Sequence, residues 1–273
     1  MRLFPEPTFK NISFAVLRVV VITYLFIGGW LYVKQDTILY FPDDRPFEQC
    51  SELEAAERVN MGRTRGYFFQ NGTSSNLAIL YHGNAGSACD RAYYRTAVEN
   101  AGYSWLFVEY TGYAGDGKKP STNIVLEDVK HVVEWVGTKE FSSIAVLGES
   151  IGSGPASFHS SIAPVDRLIL ITPFDRLSAV ASRYYPYMPI SLLLKEDYDN
   201  ISFARGAKNV LIIGGGGDTI IPFAHAQNLF DLLPQEERVL YVLEGVDHNE
   251  VPALGKTQYE IYRFLSTEQN VKA

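Results

Sequence analysis

Residues 144–147 form a short apolar run that drives into Gly148-Glu149-Ser150-Ile151-Gly152, and the small residues Ser153-Gly154-Pro155-Ala156 then open a helix. This Gly-x-Ser-x-Gly turn constrains the chain more than any other feature. A serine between a buried strand and a helix N-terminus sits on a sharp, strained turn, with its hydroxyl standing above a sheet edge. In so tight a turn a β-carbon at Gly148 or Gly152 would collide with the neighbouring strand and helix. The helix behind it aims free N–H groups and the positive end of its dipole at the serine. Five residues alone are a weak signal, and the plain alternative is a serine in an ordinary strand–turn–helix connection. The flanking strand and helix are the context the motif needs, and they make Ser150 a candidate nucleophile.

The rest of the chain repeats the same rhythm. Apolar runs at 105–109, 144–147, 168–171, 210–213 and 239–243 read as buried strands. Amphipathic segments at 90–101, 124–136, 151–162, 223–233 and 257–265 separate them; Val125, Val129, Val132, Val133 and Val136 keep a helical period. Ahead of these, 52–59 reads as a short helical turn, and 63–69 and 77–81 as two strands with Asn71-Gly72 at the reversal. Strand alternating with helix predicts an α/β fold: a mostly parallel sheet with helices on both faces, over residues 59–273. One interval breaks the alternation. Residues 175–206 are too long for a simple connection and carry Tyr184, Tyr187, Met188 and Leu192, which predicts a small cap lining an acyl pocket.

The amino terminus is different in kind. Residues 12–33 are almost wholly apolar, with Arg18 their only charge, and are long enough to span a bilayer as a helix. A signal peptide fits less well, because the stretch is long and no small-x-small cleavage pattern follows. Tyr24, Trp30 and Tyr32 suit an interfacial belt. Arg2, Lys10 and Arg18 lie on the amino side, whereas Lys34 is followed by Asp36, Asp43 and Asp44. The expectation is a single-pass anchor, with residues 1–11 cytoplasmic, 34–58 a juxtamembrane linker and the main domain on the non-cytoplasmic side. A net charge of −7 with no basic stripe argues against a nucleic-acid partner. The two cysteines, Cys50 and Cys89, read as unpaired thiols, and no grouping of Asp, Glu and His implies a metal or other cofactor.

Three further stretches fall where a serine nucleophile needs them. His82-Gly83-Asn84-Ala85-Gly86 follows the strand at 77–81, and its glycines allow close approach to a substrate. The N–H groups of Asn84 and Ile151 are the expected oxyanion donors, and His82 the residue that ties the loop down. After the strand at 210–213 comes Gly214-Gly215-Gly216-Gly217-Asp218, which lacks the Gly-Lys-Ser/Thr ending of a phosphate loop. Asp218 is the expected acid. His248 follows the last strand, and the order Ser150, Asp218, His248 is that of one class of hydrolase. Asp247 is the rival acid. A peptidase alternative would use Glu196, Asp197 and Asp199 to hold a substrate amine, and a third reading is a hydrolase fold that only binds a lipid or protein.

These motifs together resemble the α/β-hydrolase superfamily. Within it the chain is similar to the single-pass, membrane-anchored bud-emergence-type hydrolases, relatives of the abhydrolase-domain depalmitoylases. The likeness runs through the anchor with Leu39-Tyr40-Phe41-Pro42, the 82–86 loop, Glu109-Tyr110-Thr111-Gly112-Tyr113, the elbow, Asp218 before Ile221-Pro222, and Asp247-His248. Three positions depart from the usual pattern: Thr111 replaces an arginine, Gly115-Asp116-Gly117 replaces a serine-containing segment, and Glu149 stands where a basic or small residue is usual. The resemblance implies a serine hydrolase acting on a lipophilic acyl ester or thioester.

Overall fold

The computed structural model describes residues 9–195, 197–233 and 238–267. Residues 1–8 of the expected cytoplasmic segment and Glu196 of the acidic cluster lie outside them. Eight strands form the main sheet: β1 (Glu57–Met61), β2 (Thr64–Phe69), β3 (Asn76–Tyr81), β4 (Ser104–Glu109), β5 (Ser143–Glu149), β6 (Arg167–Ile171), β7 (Val210–Gly215) and β8 (Arg238–Leu243). Their order across the sheet is β1-β2-β4-β3-β5-β6-β7-β8. Only β2 runs against its neighbours β1 and β4; every other pair is parallel.

Burial explains why the strands read as unbroken apolar runs. In β6, Leu168 and Leu170 enter one core while Ile169 and Ile171 enter the other, and Val210/Ile212 against Leu211/Ile213 repeat this in β7. Both faces are covered, so both phases of a two-residue period must be apolar. Helices α3 (Thr122–Gly137), α4 (Ser153–Ile162) and α8 (Ala224–Leu232) cover the first face through Val129, Ala156 and Leu229. On the second face lie α2 (Arg95–Asn100) and α9 (Gly255–Ser266), through Val98, Ile261 and Leu265.

Two sequence expectations near the start of the domain need correction. Residues 52–59 are not a helical turn throughout, because β1 begins at Glu57. Its inward residues Val59 and Met61 alternate with polar ones on a sheet edge, a pattern too short to stand out in the sequence. The chain does turn at Asn71-Gly72, where Gly72 has φ +55°. Yet β2 and β3 do not pair, since β4 lies between them.

A third correction concerns the cysteines. Cys50 and Cys89 form a disulfide, with Cα atoms 5.8 Å apart. Phe47 and Leu53 of the 34–58 segment are buried in the same core as Ala88, and that packing brings the two sulfurs together. Closing a loop of this separation, 39 residues, is worth about 4 kcal/mol by the chain-entropy relation.

Helix α1 (Phe9–Leu39) projects from the domain with Gly28 and Leu31 its buried residues. Its end is held firmly. The buried Tyr40 hydroxyl lies 2.9 Å from both Thr122 Oγ1 and Tyr198 Oη, and Phe41–Pro42 pairs in parallel with Ala85–Gly86. The 175–206 segment folds into α5 (Leu177–Tyr184), α6 (Ile190–Leu193) and α7 (Asn200–Phe203), with α6 beside α1.

Candidate active site

At the end of β5, Ser150 takes φ +53°, a left-handed conformation that costs energy for any residue with a β-carbon. The glycines around it are there for space. A β-carbon on Gly148 would lie 2.6 Å from Ala156 Cβ, and one on Gly152 would lie 2.6 Å from the His82 carbonyl oxygen. The strained turn points the Ser150 hydroxyl at His248, whose Nε2 is 2.9 Å from Oγ. His248 Nδ1 is 2.6 Å from Asp218 Oδ2. Asp218 Oδ1 accepts the N–H groups of Ile220 and Ile221 at 2.9 and 2.7 Å, so backbone donors fix the carboxylate plane. The glycine run before Asp218 allows close packing: a β-carbon on Gly215 would lie 2.4 Å from the Val246 carbonyl oxygen, on the loop that leads to His248. Asp247, the rival acid, is turned away: its Oδ1 accepts the N–H and hydroxyl of Thr219 and the N–H of His248, at 2.9, 3.1 and 2.8 Å.

 

The 82–86 loop lies against the elbow. His82 is fully buried, its ring tilted against that of Tyr110 with centroids 4.1 Å apart, and the Tyr110 hydroxyl donates to its carbonyl oxygen. The Asn84 carbonyl oxygen accepts from Phe41 N–H and from the Tyr113 hydroxyl, at 2.8 and 2.7 Å. These bonds fix the Asn84 peptide. Ile151 is the second residue of a 3₁₀ turn, where an N–H has no partner in its own helix. Thr111 has a separate task, donating its N–H and hydroxyl to Asp128 and so tying the end of β4 to α3.

Glu149 is explained by residues that the sequence did not connect with it. Its Oε1 accepts Arg91 Nε and Nη2 at 3.2 and 2.8 Å, and its Oε2 accepts the Tyr93 and Tyr94 hydroxyls at 2.8 and 3.1 Å. Arg91 Nη1 also donates to the Ala85 carbonyl oxygen at 2.8 Å, linking elbow and loop through one guanidinium. Burial pushes the Glu149 carboxyl up, but the Arg91 charge and these hydrogen bonds outweigh it and hold the group below the usual carboxylate range. A depressed pKa stabilises the fold above the free carboxyl's pKa, and that stability is lost as pH falls through the lowered value. Glu149→Gln leaves the Arg91 charge buried without its counter-ion, at a cost of about 3 kcal/mol. Thermal unfolding of the variant against pH should show a lower midpoint at neutral pH and a flatter acid limb. An unchanged midpoint would contradict this role.

Two cavities meet at Ser150. One, of about 340 Å³, is mostly apolar and is lined by Leu177, Val180, Ala181, Tyr184 and Tyr185, with Ile38 and Leu39 from the end of α1. The other, of about 240 Å³, is lined by Asn84, Asp90, Arg91, Tyr93 and Glu149. Of the four residues expected to bind substrate, only Tyr184 lines the apolar cavity. Tyr187 and Leu192 are 87% and 78% exposed, and Met188 is half-buried elsewhere. The turn at 185–189 carries them past the cavity toward α1, where the Tyr187 carbonyl oxygen accepts from the Tyr24 hydroxyl. The acidic residues described in this segment have structural partners: Asp197 accepts from Ser178, and Asp199 caps α7 and pairs with Arg176. Neither lines the cavities at Ser150.

An uncharacterized protein of Mycobacterium tuberculosis is 30% identical over 271 residues, which cover 93% of this chain and 96% of that protein. The lysophosphatidylserine lipase ABHD12 of Danio rerio is 27% identical over 190 residues, covering 60% of this chain and 49% of that protein. Among solved structures, the Pyrococcus furiosus esterase Pf2001 aligns with a TM-score of 0.66 at 19% identity, over 84% of this chain and 98% of that one. An α/β hydrolase from Vibrio vulnificus aligns with a TM-score of 0.63 at 16% identity, over 92% of each chain. No protein-family model matches the chain. The strand order, the serine elbow and these likenesses agree: the chain has the α/β-hydrolase fold, and it belongs to one family with the Mycobacterium tuberculosis protein.

Proposed function

We propose that this protein is a membrane-anchored hydrolase that cleaves the acyl ester or thioester of a lipophilic substrate, with Ser150, His248 and Asp218 as its triad. The observation that carries the reading is the Ser150–His248–Asp218 hydrogen-bonded chain opening on an apolar cavity. His248 Nε2 takes the proton from Ser150 Oγ as that oxygen attacks the acyl carbonyl. The N–H groups of Asn84 and Ile151 hold the tetrahedral oxyanion. His248 then gives its proton to the leaving oxygen or sulfur, and the acyl group remains on Ser150. Water deprotonated by His248 attacks that ester, and collapse of the second tetrahedral intermediate releases the carboxylic acid and returns the proton to Ser150. Asp218 keeps the imidazole in the tautomer that points its lone pair at the serine. The apolar cavity takes the acyl chain and the cavity at Arg91 takes the leaving group.

The anchor is α1, a helix of 31 residues that is long and apolar enough to cross a bilayer. The basic residues on its amino side favour a catalytic domain on the non-cytoplasmic side, and the Cys50–Cys89 disulfide supports an oxidising compartment. A panel of nitrophenyl esters from acetyl to palmitoyl tests the substrate class on the full chain in detergent. Specificity should rise with chain length until the cavity is filled, each added methylene contributing up to about 1 kcal/mol. Cleavage of amino-acid amides with no action on acyl esters would overturn the reading.

A further inference from the structure

The apolar cavity at Ser150 does not end at the domain. Ile38, Leu39, Leu177, Ala181 and Tyr185 line both it and a second, narrower cleft of about 70 Å³ between α1 and the α5–α6 segment. Leu31, Ile190, Leu193 and Leu194 form the outer part of that cleft. The amide side chain in it, Gln35, is spent on the backbone: Nε2 donates to the Tyr32 and Leu193 carbonyl oxygens, and Oε1 accepts from Lys195 N–H. The seam is therefore apolar from Leu31 to the catalytic serine.

The depth of its outer end follows from helix geometry. The apolar run begins at Ile12, and Tyr24 lies about 18 Å further along the axis at 1.5 Å per residue. A hydrocarbon core is about 30 Å thick, so it extends past Tyr24 to about the level of Leu31. That is the stretch the segment touches: the Tyr24 hydroxyl donates to the Tyr187 carbonyl oxygen at 2.8 Å, Leu193 lies over Gly28, and Leu31 is buried. Tyr187 and Leu192 are exposed on the same edge. In water such side chains are a liability; in lipid they are solvated.

Building on the hydrolase and anchor readings above, we propose that the α6 edge dips into the bilayer and that the acyl chain of a bilayer-resident ester reaches Ser150 along the seam between α1 and α5–α6. The anchor then forms part of the substrate's route. A soluble ester short enough to enter the cavity from water does not need this route, so chain length separates the two paths.

The test uses the full chain in lipid nanodiscs with butyl and hexadecyl fluorophosphonates, both of which label an activated serine. Leu193→Trp fills the outer end of the seam, outside the cavity at Ser150. Hexadecyl labelling should slow about tenfold or more while butyl labelling stays within about twofold, and Leu193→Ala should leave both rates near native. Equal rates for native protein and Leu193→Trp with the hexadecyl probe would overturn the route, as would equal slowing of both probes. Failure of both probes on the native protein would instead sink the hydrolase reading and this proposal with it. Immersion has its own readout. Both native cysteines are tied in the disulfide, so a nitroxide on Leu192→Cys reports from one site. Relaxation by oxygen should exceed relaxation by an aqueous nickel chelate; the reverse would place the α6 edge in water and overturn the proposal.

Discussion

Ser150→Ala should abolish labelling by a fluorophosphonate probe and lower ester turnover on the order of a millionfold, while the protein stays folded. The loss is large because the remaining groups have nothing to activate. On the proposed mechanism His248 would keep its bond to Asp218 and the Asn84 and Ile151 N–H groups would still face the substrate carbonyl, but no oxygen would attack it. The fold is spared because alanine has a β-carbon like serine and sits equally well or badly at φ +53°. Labelling with far-ultraviolet circular dichroism on the same sample separates the two effects. Undiminished labelling of the variant would end the assignment of Ser150.

Exchanging the two neighbouring acids gives the second large effect. Asp218→Asn should cost on the order of ten-thousandfold in kcat, because an amide facing Nδ1 no longer favours the tautomer that leaves Nε2 free to accept the Ser150 proton. Asp247→Asn should cost less than about tenfold, since that carboxylate braces Thr219 and the His248 backbone and does not touch the imidazole. Single-turnover kinetics on both variants decide the matter. If Asp247→Asn were the damaging change and Asp218→Asn nearly silent, the acid would have been assigned to the wrong loop.

The sheet was legible because strands buried on both faces leave continuous apolar runs, and the helices between them keep their own period. Ser150, Asp218 and His248 could be placed for a related reason: Ser150 directly follows its strand and the other two lie on the loops just beyond theirs, so position in the chain states position at the sheet edge. What stayed hidden depends on groups distant in sequence or on polar alternation at an edge. Strand β1 alternates Val59 and Met61 with polar residues over a very short run. Arg91 lies 58 residues before Glu149, and no local pattern links a guanidinium to a carboxylate at that distance. The disulfide is of the same kind, since only the packing of Phe47 and Leu53 brings Cys50 to Cys89. Tyr187, on a turn, and Leu192, on α6, lie away from the cavity at Ser150; an apolar side chain in an irregular segment does not state in its sequence which surface it faces.

The junction after α1 has no slack. Tyr40 is buried and bonded to Thr122 and Tyr198, and the next two residues are paired with the loop that carries Asn84. On the proposed topology the catalytic serine therefore cannot roam above the membrane as it would on a flexible tether. Its height is set by helix tilt, and helix tilt by bilayer thickness. Substrate and enzyme then meet in two dimensions, and the quantity that governs turnover becomes the mole fraction of ester among the surrounding lipids rather than its amount per volume of solution.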